Sequence, residues 1–170
     1  VGLEIAEQAA EAGIEAADVL VCCGGGGLTS GIALALEARA PGLRVRTVEP
    51  EGFDDVARSL ALGDVSRNNR LGGSICDAIV TPQPGELTFP IMQRLCGPGL
   101  TVSDDEALFA MAQAFLRLKL VAEPGGAVAL AAALCRKEHI EGEAVVVVIS
   151  GGNVDPVMFT RSLITHAEAS

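Results

Sequence analysis

Four consecutive glycines, Gly24, Gly25, Gly26 and Gly27, stand between the apolar run DVLVCC and the alanine-rich stretch LTSGIALALEARA. A strand that ends in glycines and leads into a helix leaves amide N–H groups unpaired at the positive end of the helix dipole, with no Cβ to hold an anion off. Such a junction is a phosphate cradle, with the four glycines as its wall and Leu28, Thr29 and Ser30 entering the helix. Close packing of a strand on a helix would need only one or two glycines. No register supplies the dinucleotide pattern G-x-G-x-x-G, because counting from Gly24 ends on Thr29 and from Gly25 on Ser30. Gly26 and Gly31 are followed by Ile32, not lysine, so a Walker loop fails too. A single phosphate monoester is the simpler guest, and Glu49 keeps a ribose-binding NAD(P) Rossmann domain as the alternative.

A second glycine loop, Ser150, Gly151, Gly152 and Asn153, follows the run AVVVVI. In a parallel sheet every strand ends on the same edge, so both loops can line one crevice and meet a ligand with two polar ends. A third turn, Glu123-Pro124-Gly125-Gly126, opens a helical pattern and by position alone reads as helix entry. Asp54 and Asp55 read as acids in the first turn of a helix, where they favour the dipole.

The elements that must position these loops alternate. Short β-branched runs at 19–23, 44–49, 78–81, 100–103 and 144–150 are separated by helical patterns near 2–12, 28–40, 54–62, 86–96, 104–121, 125–137 and 156–167. This order specifies an α/β fold of three layers, a mostly parallel sheet with helices on both faces, in a single domain spanning 1–170. AVVVVI is continuously apolar, which predicts a central strand buried on both faces. Ser103 and Glu106 form a capping box, and Ala107, Leu108, Met111, Phe115 and Leu118 fall on one face as a packing stripe. The stretch 63–73 reads as a loop whose Asn68, Asn69 and Arg70 are solvated.

Composition narrows the partners. Twelve Lys and Arg against 22 Asp and Glu give a net charge of −10 without a basic track, which argues against nucleic acid. No apolar run approaches the roughly 18 residues that span a membrane. Five cysteines, with Cys22 and Cys23 adjacent and therefore on opposite faces of a strand, fit a reducing cytoplasm, and two histidines make a zinc site improbable.

GGGGL at 24–28, VEPEGFDD at 48–55, LVAEPGGAVALAA at 120–132 and VVVVISGGNVD at 146–155 resemble, in order and spacing, the C-terminal half of the pyridoxal-phosphate-dependent serine/threonine dehydratases. PGELTFPI and LTVSDDEAL lean toward the threonine dehydratase branch. The resemblance implies the large-domain portion of the tryptophan-synthase-β-like fold, fold type II. It implies that Gly24, Gly25, Gly26, Gly27 and Leu28 bind the phosphate of pyridoxal 5'-phosphate through backbone amides. Ser150 would bond the pyridine nitrogen and Glu123 would sit near the ring. Glu49, the Phe53 carbonyl and Asp55 would match the cation ligands of some members, an oxygen set suited to Mg²⁺ or Ca²⁺.

The family's lysine motif and its S-x-G-N-H-like motif are absent, and Lys119 and Lys137 read as surface charges. With the abrupt start at VGLEIAEQ, this predicts a fragment, or one piece of a split enzyme, whose N-terminal half carries the small domain and the lysine. The chain alone would be inactive. The resemblance implies that the whole protein is a threonine ammonia-lyase of amino-acid metabolism, isoleucine biosynthesis included, taking L-threonine or L-serine to a 2-oxo acid and ammonia. It also implies a homo-oligomer. The ending HAEAS implies no isoleucine-sensing module. Serine racemase activity and a non-enzymatic binding module are the alternatives.

Overall fold

The computed structural model describes residues 1–166. Four parallel strands, β1 (Ala17–Cys22), β2 (Leu43–Pro50), β3 (Leu100–Val102) and β4 (Val145–Val148), form one sheet in the order β3-β2-β1-β4. In register, Val19 of β1 faces Val45 of β2 and Val146 of β4, and Val48 of β2 faces Leu100 of β3. Parallel neighbours need crossovers, and the helical patterns supply them: α1 (Gly2–Glu11), α2 (Gly27–Arg39), α3 (Asp55–Leu62), α4 (Phe89–Leu95), α5 (Asp104–Gln113), α6 (Pro124–Cys135) and α7 (Pro156–His166). Residue 167, expected as the last of this final helix, lies outside the described residues.

The period-two alternation of β1 sorts the core into two layers. Val19 and Val21 pack with Val45 against Ala6, Ala9, Ile32 and Leu36 of α1 and α2. Leu20 and Cys22 pack with Val48 and Val102 against Leu108 and Met111 of α5 and the alanine-rich α6. Helices therefore cover both faces, as the pattern predicts. Helix α6, apolar around most of its circumference, is buried because it crosses the sheet beneath α5. Glycine lets α1 lie directly on α2, since a Cβ on Gly2 would stand 2.7 Å from that of Ala35.

Several expectations change. The run AVVVVI is an edge strand of the sheet, paired among the described residues with β1 alone, and Val145 is 40% exposed. Continuous hydrophobicity cannot rank a strand within a sheet. The run 78–81 forms no strand. Its Ile79 and Val80 amides close back on Cys76 and Asp77 in a 3₁₀ turn (Asp77–Ile79), because tight turn bonds leave no extended edge to pair.

The helix expected over 104–121 keeps its capping box but widens into a π turn at Ala114–Leu118 and ends at Lys119, whose φ is 60°. The widening rotates Leu118 off the packing stripe, so it is exposed while Ala107, Leu108 and Met111 are buried. The loop 63–73 is exposed along most of its length, Asn69 and Arg70 included, as expected, but two of its residues also tie it to the body of the fold. Asn68 donates to Asp55 Oδ1 at 2.6 Å and to the Thr81 carbonyl at 2.8 Å, and Arg70 stacks 5.0 Å over the Phe53 ring.

At the amino edge of the sheet, Asp18 is buried between two cations. Its Oδ1 accepts from Arg44 Nε at 2.8 Å, and its Oδ2 from Arg46 at 3.0 Å and from the Glu141 amide at 3.2 Å. Arg46, also buried, donates to the carbonyls of Pro98 and His139. Burial alone would raise the Asp18 carboxyl, but these donors outweigh it and hold it below the usual carboxylate range. A depressed folded-state value contributes stability that is full above about pH 4 and is lost as the pH falls through the lower folded value. Replacing Asp18 by Asn leaves Arg46 buried without its counter-charge. The expected loss is about 3 kcal/mol in urea unfolding at pH 7, together with loss of the Asp18 share of acid sensitivity below about pH 4.

Candidate functional site

Strand β1 delivers the chain to the carboxyl edge, where the Cys23 amide makes the last sheet-like bond, to the Val48 carbonyl at 3.0 Å. Gly24 then passes so close to the 3₁₀ turn that a Cβ would lie 3.2 Å from the Ile79 oxygen and 3.3 Å from the Thr81 methyl. Gly26 caps α2 in the left-handed region, φ 87°, and its carbonyl accepts the first helical bond, from the Ser30 amide at 2.9 Å. The amides of Gly27, Leu28 and Thr29 therefore lie in the first turn, where no intrahelical acceptor exists. The Gly25 carbonyl accepts from the Gly85 amide at 3.2 Å and from the Thr88 hydroxyl. A trans peptide then aims the Gly26 N–H in the opposite direction, away from that loop. Gly25 and Gly27 are exposed, with nothing within 4 Å of their Cβ positions.

On the neighbouring strand end, the loop after β4 is clamped by the turn before α6. The Glu123 amide donates to the Gly151 carbonyl at 2.9 Å, and Glu123 Oε2 accepts from the Asn153 amide at 3.0 Å. Neither turn has room for side chains here. A Cβ on Gly126 would stand 2.6 Å from the Gly151 oxygen, and one on Gly151 2.5 Å from Glu123 Oε1. Glu123 and Asn153 also line a cleft of 390 Å³ with Asp77, Val154 and Asp155. Ser150 is exposed at this edge, and its Oγ lies 2.9 Å from the Sγ of buried Cys22.

The sequence-predicted residues thus divide into groups. Gly24, Gly25, Gly26, Gly27 and Leu28 share one loop, and Ser150 and Glu123 meet at the adjacent strand end, bridged to β1 through Cys22. Glu49, near the end of β2, forms a separate group with Phe53 and Asp55, which follow that strand. Glu49 is fully buried and caps α3, its oxygens accepting from the amides of Val56 at 2.9 Å and Ala57 at 2.7 Å. Burial pushes its carboxyl up to about 8 against those two donors, and burial likewise lifts Asp55 to about 6. Asp55 Oδ2 is buried without a hydrogen-bond partner. Among the described residues no three His, Cys, Asp or Glu side chains gather as a metal site.

Residues that sequence reasoning passes over complete the site. It considers Cys22 only for disulfides, and Gly85 and Thr88 only as part of a run. The adjacent cysteines carry a usable signal, because alternation sends Cys22 toward Ser150 and Cys23 toward Met92. All five cysteines are free thiols. Lys119 is exposed and donates to the Leu116 carbonyl, and Lys137 is exposed in the turn Lys137–His139 that precedes β4.

The chain as a whole has counterparts among known proteins. The sequence profile described as "Pyridoxal-phosphate dependent enzyme" matches residues 1–151, and the chain belongs to that family. It is 36% identical over 157 residues to a serine racemase of Dictyostelium discoideum, covering 90% of this chain and 47% of that protein. It is also 36% identical over 157 residues to a catabolic L-threonine dehydratase of Escherichia coli K12, covering 91% of this chain and 46% of that one. The solved threonine deaminase of T.th. superposes with a TM-score of 0.85 at 40% identity, over 91% of this chain and 56% of that one. The chain spans about half the length of the curated relatives it matches. The fold is therefore the parallel fold-type-II architecture, in a lineage that holds both ammonia-lyases and racemases.

The residues fit the cofactor this family implies. A phosphate needs donors and open space, and the first turn of α2 offers amides behind glycines that carry no Cβ. Two glycine variants separate packing from binding. Gly26→Ala forces a side chain into the left-handed region beside Met92 and Thr88, and costs about 1–2 kcal/mol in thermal or urea unfolding. Gly25→Ala meets no neighbour and should leave stability within about 0.5 kcal/mol, yet weaken pyridoxal 5'-phosphate binding at least about tenfold in a fluorescence titration of the complete protein.

Proposed function

We propose that this chain is the cofactor-holding portion of an ammonia-lyase that eliminates water from L-threonine or L-serine. It would act with a remainder that carries the small domain and the lysine. The observation that carries this reading is the Ser150 hydroxyl, placed at the end of β4 on the same sheet edge as the amides of α2. Pyridoxal 5'-phosphate, when bound, supplies an electron sink for the pair left at Cα once a proton is removed. The amides of Gly26, Gly27 and Leu28 hold the phosphate with dipole and hydrogen bonds, without a cationic side chain. Ser150 donates one neutral hydrogen bond to the ring nitrogen and cannot stabilise a fully protonated ring as a carboxylate would. A ring held this way would be a mild sink, which suits elimination. Glu123 keeps Ser150 in place by clamping the Gly151 carbonyl and the Asn153 amide.

The remainder would also cover the open edge of β4, where Val145 is exposed and the next three valines are half-buried. Racemisation of serine is the second reading, favoured by 36% identity to a serine racemase. Glu49, the Phe53 carbonyl and the unpartnered Asp55 Oδ2 would hold Mg²⁺ or Ca²⁺ as an oxygen-only set.

The complete polypeptide, loaded with cofactor, decides among these. Release of 2-oxobutanoate from L-threonine or pyruvate from L-serine is the expected result, with none from the 170-residue chain alone. Conversion of L-serine to D-serine without a 2-oxo acid would replace the lyase reading by the racemase. For the cation, millimolar Ca²⁺ or Mg²⁺ should raise the melting temperature by a few degrees, at about 100-fold excess over Kd, and Asp55→Asn should abolish the rise.

A further inference from the structure

Cys22 is the last residue of β1 and lies buried beside Ser150, with Sγ 2.9 Å from Oγ across the β1–β4 pair. A serine hydroxyl has one hydrogen and two lone pairs, whereas a thiol has one hydrogen and only weak acceptor capacity. Two arrangements are open to such a pair. If Ser150 donates to sulfur, it has no hydrogen left for a ligand at the edge. If the thiol donates to Oγ, the serine hydrogen is free to leave the sheet edge, and two successive bonds in one direction polarise and strengthen each other.

The surroundings favour the second arrangement once an acceptor stands at the edge. A pyridine nitrogen is a better acceptor than a thiol sulfur. The thiol keeps its proton at neutral pH because burial raises it, and the Glu123 charge raises it further against the Ser150 hydrogen bond. The loop cannot shift to avoid the contact, since Glu123 clamps both the Gly151 carbonyl and the Asn153 amide. Cys23, pointing to the opposite face toward Met92, cannot substitute.

We propose that Cys22 is a positioning residue: its S–H donates to Ser150 Oγ and thereby aims the Ser150 O–H at the pyridine nitrogen of the cofactor. This deepens, and rests on, the reading of Ser150 given above.

The test uses the complete polypeptide loaded with pyridoxal 5'-phosphate, in the variants Cys22→Val, Cys22→Ser, Ser150→Ala and the double Cys22→Val/Ser150→Ala. The readouts are the visible absorbance of the bound cofactor, its Kd, the melting temperature, and kcat against KM. Valine fills a similar volume without a hydrogen to donate. It should keep the melting temperature and KM, shift the absorbance and lower kcat about three- to tenfold. Serine donates in the same direction and should restore both. Ser150→Ala should shift the absorbance further, and adding Cys22→Val to it should change nothing more. An unchanged spectrum and kcat in Cys22→Val, or equal losses in the valine and serine variants, would overturn the role of Cys22 while a shifted Ser150→Ala spectrum left the Ser150 reading standing. An unshifted Ser150→Ala spectrum would remove the Ser150 reading, and Cys22 with it.

Discussion

Backbone approaches backbone at the carboxyl edge of the sheet more closely than any side chain would permit, and the site depends on that closeness. Gly24 lies against the Ile79 turn, Gly126 against Gly151, and Gly152 against the Val121 carbonyl at a Cβ distance of 2.7 Å. These contacts bring the ends of β1 and β4 and the start of α6 into one small volume. Main-chain amides, not side chains, then form much of the surface a ligand meets. Bonds at the Gly25, Gly26 and Gly151 carbonyls and the Asn153 amide hold that backbone in place.

The same economy of side chains settles the electrostatics. A chain with a net charge of −10 repels a phosphate at long range, so attraction must come from donors in direct contact. Helix α2 provides them in its first turn, which carries no acid, while the acids of α3 and α5 sit in the first turns of other helices. Asp54 and Asp55 lie instead by the buried Glu49, where like charge adds to burial in raising its carboxyl. The two regions lie at the ends of neighbouring strands, β1 carrying one and β2 the other.

The opposite edge has the complementary task. Asp18, Arg44 and Arg46 fasten β1 to β2, and through the Pro98 and His139 carbonyls they reach the segments that lead into β3 and β4. A buried pair of this kind adds less to stability than its Coulomb energy suggests, since both charges are desolvated. Its value lies in register, because pairing Asp18 with Arg44 sets the Asp18 carboxylate against both Arg44 and the buried Arg46.

Reading the residues in order is enough to find the α/β alternation, the capping box of α5, the opposed directions of Cys22 and Cys23, and the glycine cradle. Each is local: it depends on the period of a strand, the chemistry of a helix end or the missing Cβ of a glycine. The folded chain was needed to show that β4 lies at the edge of the described sheet, that the run 78–81 turns instead of extending, and that Asn68 and Arg70 are held against Asp55 and Phe53. It was needed again for the meeting of Cys22 with Ser150, a contact between residues 128 positions apart. Strand order, loop docking and a shared hydrogen are settled by which distant surfaces close on one another, and no run of neighbouring residues encodes that choice.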